Sequence, residues 1–293
     1  MPMPSSAPSQ HLKGIACILT GVLCLTCSDA LAKALGASYP ALQLLFMRAA
    51  LAAPVLALAL LLTSGASGLR TQHIGVHLFR GAINVGTAAC FYWGLTMLPL
   101  AEATAIAFCA PLVVTLISVT VLGERVSLGA WLAVILGFIG VLVVVRPGPG
   151  ALGWPALLPL VSAIGYAVLM VSARRLGAGE SMWTTMLYIV LGQLVFTSLA
   201  QPWVWRPLDW ALWPELAGLA LFSTLGLGLI TQAFRLAPAS LVAPFDYTGL
   251  IWATAWGWLF WHEVPGPWFY AGSALIAASG MYLALPRQSA KSR

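Results

Sequence analysis

A stretch of about 20 predominantly apolar residues, long enough to cross a bilayer as a helix, recurs ten times along this chain with little between the copies. The predicted spans are 12–35, 42–63, 74–98, 101–122, 128–146, 154–174, 183–201, 213–235, 240–260 and 267–286. The N-terminal tail and the loop around 202–212 are the longest polar stretches that remain. Only 8% of the residues are charged, against about 25% in an average soluble domain. Mean hydropathy is +0.92. A soluble fold of this size could not cover its surface with so few charges, so the solvent these helices suit is lipid. The first span is too long for a removable signal peptide and lacks a small-residue cleavage site.

Ten spans put both termini on one side. Lys13, Arg70, Arg125, Arg174, Arg175, Arg235, Arg287, Lys291 and Arg293 fall on that side, and only Lys33, Arg146 and Arg206 on the other. Positive charge accumulates in the cytoplasm, so both termini are expected there, in a bacterial-type inner membrane. The net charge of +6 follows from this bias and requires no nucleic-acid partner. Trp203, Trp205, Trp210 and Trp213 read as an interfacial aromatic belt on the outer face.

The chain also repeats itself. At an offset of 139, Pro99 meets Pro238, Glu124 meets Glu263 and Pro147 meets Pro286. At an offset of 141, 33-KALG meets 174-RRLG. Spans 1–5 and 6–10 therefore read as two copies of one unit. An odd number of spans per copy turns the second upside down relative to the first. Inverted repeats around a midplane site are a design of secondary transporters. The expected organisation is a short tail (1–11), a first repeat (12–148), a second (149–286) and a tail (287–293).

The run 98-LPLAEATAIAFCAPLVVTLISVTVLGERVSLGAWLAVILGFIGVLVVVRPG-148 closely resembles the EamA repeat of the drug/metabolite transporter superfamily. It carries the LPLAEATAI entry, a proline in the next helix, the LGER turn and the GFxGVLxxxRP exit. The second copy is more diverged, with 261-WHEV where the first has LGER. The resemblance implies a ten-helix bundle with a cavity lined by spans 1, 3, 4, 6, 8 and 9. It also implies transport of small metabolites, as in YddG-type amino-acid exporters or in permeases for S-adenosylmethionine or riboflavin.

Candidate site residues follow from depth and chemistry. Asp29 lies in the outer third of span 1 with Lys33 one turn on, a spacing that pairs them. The pair is either a helix end reaching the interface or, with Arg48 and Glu102 at similar depth, an outer gate. His77, Arg80, Asn84 and Phe91 share one side of span 3. An Arg80–Asp246 contact would make an inner gate; the alternative has Arg80 reaching lipid phosphate. Pro111 and Pro244 interrupt spans 4 and 9, corresponding helices of the two halves, and such matched interruptions point to a transporter's binding site. The registers of the two prolines differ, so simple kinks remain an alternative. Phe108 pairs with Tyr247 across the pseudo-axis. With Tyr166 and Trp252 these aromatics form an expected ligand wall, alternatively bundle core. Gln232 joins the predicted cavity, and Gln193 reads as interhelical hydrogen-bond glue. Ala82 and Gly86 form a small-xxx-small face in span 3, and Glu124, Arg125 and Glu263 are expected to fix turns.

Cys24-x-x-Cys27 sits mid-span without the helix N-terminus of a redox pair or the partners of a zinc site, so it reads as packing. No metal and no cofactor is expected. There is no H-E-x-x-H, no G-x-S-x-G and no phosphate-binding glycine loop, which argues against an enzyme. Asp29, Glu102 and Asp246 all fall away from mid-membrane by residue count, which points to facilitated diffusion or exchange rather than proton coupling. The sequence reads as a monomeric secondary carrier exporting small metabolites, aromatic and neutral amino acids first. An uptake permease is the alternative.

Overall fold

The computed structural model describes residues 8–69, 71, 73–122, 127–146, 153–173 and 182–284. Twelve α-helices follow in order: α1 (Pro8–Leu35), α2 (Ala41–Ser64), α3 (Ile74–Met97), α4 (Leu100–Ala107), α5 (Ala110–Leu122), α6 (Leu128–Val145), α7 (Leu157–Ala173), α8 (Met182–Val204), α9 (Trp213–Leu236), α10 (Ala239–Asp246), α11 (Thr248–Trp261) and α12 (Pro267–Ala284). Helices pair their own backbone groups, which is what a hydrocarbon surrounding demands. Eight segments are long and apolar enough to cross a membrane, counting α4 and α5 as one. The ninth span is the interrupted pair α10–α11. The tenth is α12, whose Trp, Tyr, Ser and Gly residues lower its hydropathy. The ten spans expected from sequence are thus present as ten helical crossings, two of them broken.

The inversion is visible in which helices touch. The most extensive interface joins α1 to α9, the first span to the eighth. Its counterpart under the repeat joins the sixth span to the third, and α7 does pack along α3. The pairs α2–α8 and α6–α12 each join an element to its own counterpart, and α4–α11 joins the fourth span to the ninth. Two upside-down copies related by an in-plane axis must pack this way. The end of the bundle holding both chain termini is called the terminal end below; α1 delivers Lys33 to the opposite, far end. Trp203, Trp205 and Trp210 are exposed in the far-end segment before α9.

Close helix approaches are made by glycines. A Cβ on Gly272 of α12 would lie 2.6 Å from the Gly140 carbonyl oxygen of α6. The small face expected at Ala82 and Gly86 is not the one used. Both are exposed, and a Cβ on Gly86 would meet nothing within 4 Å. The contact turns instead on Gly81, whose Cβ would come 2.8 Å from the Cα of Gly192 on α8. One residue of register rotates a helix face by about 100°, enough to exchange the packed side for the open one. The turn expected at Glu124 and Arg125 lies outside the described residues.

Replacing Gly272 by Leu should force α6 and α12 apart and cost about 1–3 kcal/mol. The purified variant should show a lowered thermal midpoint; an unchanged midpoint would contradict this packing.

Candidate functional site

The fourth and ninth spans are each two helices. Both open on a matched proline, Pro99 (φ −55, ψ 140) and Pro238 (φ −57, ψ 141). Both first pieces run 8 residues. The breaks therefore fall at Phe108 and Tyr247, equivalent positions of the two repeats. Pro111 sits in the first turn of α5, where it leaves the Ala107 carbonyl without its helical donor. Pro244 lies inside α10, and the chain breaks after it at Tyr247. The break follows the repeat register, not the proline.

The two break residues meet. The rings of Phe108 and Tyr247 lie 5.2 Å apart at 33°, a favourable offset contact. The Tyr247 ring fills the space beside Gly280 of α12, and its buried hydroxyl has no hydrogen-bond partner among the described residues. Trp252 packs on Ile18, Val22 and Val242 and stacks on Trp256 at 6.2 Å. Tyr166 is more telling. Leu157, Val161 and Ile164 form the exposed apolar stripe of α7, and Tyr166 stands on the opposite side, yet it is 48% exposed. A side chain exposed on the inward side of its helix lines an internal space. It lies within electrostatic reach of Asp246, the last residue of α10.

The far end is closed by charges, with different partners from those expected. Lys33 does not pair with Asp29. It donates to Glu263 at 2.5 Å and to the Leu98 carbonyl at 2.7 Å, and its ammonium lies 5.2 Å from the Trp261 ring centre. The other Glu263 oxygen accepts the Leu100 amide at 2.9 Å, a carboxylate at the positive end of α4. Glu102 is 3.5 Å from Arg146. Trp261 thus sits under Lys33, and Glu263 ties three elements where only a turn was expected. A helix-spacing rule cannot see a partner 230 residues away.

Arg48 and Asp29 belong to a second group. Arg48 donates to the Tyr92 hydroxyl and to the Gln193 carbonyl oxygen, both at 2.8 Å. Asn84 donates to that same oxygen at 3.0 Å, and Gln193 donates to Leu45 O at 2.7 Å. Gln193 thereby bonds α8 to α2 and α3, as glue. Asp29 lies within electrostatic reach of Arg48. Asn84 is committed to this network, and Phe91 packs with the core cluster that includes Tyr92 and Leu95.

At the terminal end, Arg80 does not meet Asp246, nor does it reach lipid. It is buried and donates to the Leu169 carbonyl at 2.7 Å and to Ser172 at 3.2 Å, both on α7. His77 stacks on Tyr188 of α8 at 4.7 Å. Gln232 is partly exposed on α9. A cavity of about 410 Å³ lies in the far-end half, lined by Cys27, Ala30, Leu31, Ala34, Phe222, Trp256, Phe260 and Trp261. None of the residues predicted to line the substrate cavity borders it.

The equivalent half-helices differ in burial. Every residue of α4 from Leu100 to Ile106 is buried. On α10, Leu241, Pro244, Phe245 and Asp246 are all partly exposed. The far-end half-helix is thus enclosed by protein more fully than the described side chains of its counterpart.

Comparison with known proteins agrees with this architecture. The model of the EamA-like transporter family matches twice, over residues 12–146 and 153–285. The chain belongs to the EamA-like transporter family. Among relatives of this EamA chain, the pseudopaline exporter CntI of Pseudomonas aeruginosa is 30% identical over 86% of this chain and 88% of its own. A riboflavin transporter of Vibrio cholerae is 30% identical over 73% of each chain. An S-adenosylmethionine uptake transporter of Rickettsia prowazekii is 25% identical over 95% of each. A crystal structure at 22% identity superposes with a TM-score of 0.62 over 90% of this chain and 95% of the other, a likeness of fold. The EamA chain is a multi-pass membrane transporter of a small molecule.

A double-mutant cycle on Lys33→Met and Glu263→Gln should give a coupling of about 1–3 kcal/mol in thermal stability. Additive effects of the two changes would show that the ion pair does not hold the far end together.

Proposed function

We propose that this EamA transporter is a secondary carrier that exports small amphipathic metabolites, neutral and aromatic amino acids first, by alternating access. The observation that carries the reading is the matched interruption of the fourth and ninth spans, with Phe108 and Tyr247 in contact across the two halves. Interrupted helices in corresponding positions are where inverted-repeat carriers bind their cargo. Aromatic walls with few fixed charges suit an amphipathic ligand. The wall proposed from the geometry is Phe108, Tyr166, Tyr247 and Trp252. The outer gate is Lys33, Glu263, Glu102 and Arg146, which must separate for the far end to open. The two repeats, 12–148 and 149–286, are the moving units, with both termini in the cytoplasm by the distribution of Lys and Arg.

Outward direction is supported by the likeness to the pseudopaline exporter over most of both chains. The second reading is an uptake permease for S-adenosylmethionine or riboflavin, favoured by the likeness to carriers of those names. Purified protein in proteoliposomes separates the two. Labelled phenylalanine, leucine and threonine should show saturable counterflow. Phe108→Ala or Tyr247→Ala should lower it about tenfold, the scale of one aromatic contact. Saturable counterflow of S-adenosylmethionine or riboflavin, with none of an amino acid, would replace the first reading by the second.

A further inference from the structure

Asp246 is the acid at the break of the ninth span, next in sequence to Tyr247 and within electrostatic reach of Tyr166. It ends α10 immediately before the break at Tyr247. A carboxylate there lies between the negative end of α10 and the positive end of α11, so the two helix dipoles oppose each other at this point. Asp246 is partly exposed. Arg80, the cation expected to meet it, is held by Leu169 and Ser172 instead. Among the described residues nothing hydrogen-bonds to or ion-pairs with the carboxylate. The elements packed against α10 are α1, α9 and α12. The titratable groups within electrostatic reach are the phenols of Tyr166 and Tyr247, and Cys109 lies within reach of Tyr247.

A carboxylate inside a membrane protein without a counter-charge is costly, and it is neutralised by whatever cation can reach it. The tyrosine rings beside it add a cation-attracting surface. We propose that Asp246 is the carrier's cation site: its carboxylate holds one positive charge, supplied by a proton or by the ammonium group of the transported molecule. This deepens the carrier reading above and rests on it. A proton adds to a carboxylate oxygen, and an ammonium group donates hydrogen bonds to the same oxygens. If both can occupy the site, each displaces the other, and the carrier exchanges substrate against protons.

The test compares wild type, Asp246→Asn and Asp246→Glu in proteoliposomes. The probes are labelled phenylalanine and its N-acetyl analogue, which lacks the positive charge. In the wild type, the expected ratio of phenylalanine to N-acetyl flux falls about tenfold or more in Asp246→Asn, the scale of one charge-assisted hydrogen bond, and recovers in Asp246→Glu. That result assigns the site to the substrate's ammonium. A pH gradient that drives accumulation in the wild type and not in Asp246→Asn assigns it to the proton, and both results together assign it to exchange. Equal ratios and equal pH response in wild type and Asp246→Asn would overturn the proposal. Should no amino acid move at all, the carrier reading for amino acids fails separately. The site is then read by infrared spectroscopy in lipid. A protonated carboxyl band that titrates in the wild type and is missing in Asp246→Asn supports it, and identical spectra overturn it.

Discussion

In hydrocarbon, a backbone N–H or C=O without a partner costs several kcal/mol, and this chain breaks two of its ten spans in that setting. The breaks are at Phe108 and Tyr247, equivalent positions of two inverted copies. Such a break is tolerated only where protein or a watery cavity surrounds it. The rest of the structure supplies that surrounding. α1 and α9 pack along their length, α3 and α7 do the same in the other half, and α6 and α12 close tightly on paired glycines. The break residues are left to meet each other and the interior.

The repeat also explains why the two ends of the bundle differ. Two identical halves could pack symmetrically, with both ends equally open. Here α4 is buried from Leu100 to Ile106 while Leu241, Pro244, Phe245 and Asp246 of α10 are partly exposed. The far end is held by Lys33, Glu263 and the amide of Leu100, so α1, α4 and the residue after α11 are drawn to one point. A pair of small ionic contacts can be traded for others at modest cost, which suits an element that opens and closes. The Arg48, Tyr92, Gln193 and Asn84 network has a different character. Its groups are mutually satisfied across α2, α3 and α8, so it stiffens one wall.

The fold was legible in the sequence because its signals are local or periodic. Apolar length places the spans, and Pro99 with Pro238 places the repeat, down to near-identical backbone angles at the start of α4 and α10. The aromatic contact of Phe108 with Tyr247 came from the same offset. Partners of charged side chains were not legible. Asp29 and Lys33 are correctly spaced to pair, yet Lys33 bonds to Glu263, because the neighbour is set by how helices far apart in sequence meet. Arg80 was expected to meet either Asp246 or lipid phosphate and bonds to α7 instead, since α7 lies along α3 at that level. Ala82 and Gly86 lost the close packing to Gly81 through a single step of helical register.

The measurement that bears most directly on alternating access is the distance across each end, by double electron–electron resonance in lipid. One pair of spin labels would sit at the far end, on Ala37 and Val264, and another at the terminal end, on Ile74 and Pro238. All four positions are exposed and each pair spans the two repeats. The account predicts two populations, in which a longer far-end distance accompanies a shorter terminal-end distance, with substrate changing their proportions. A single distance at each end, unchanged by any transported molecule, would contradict it.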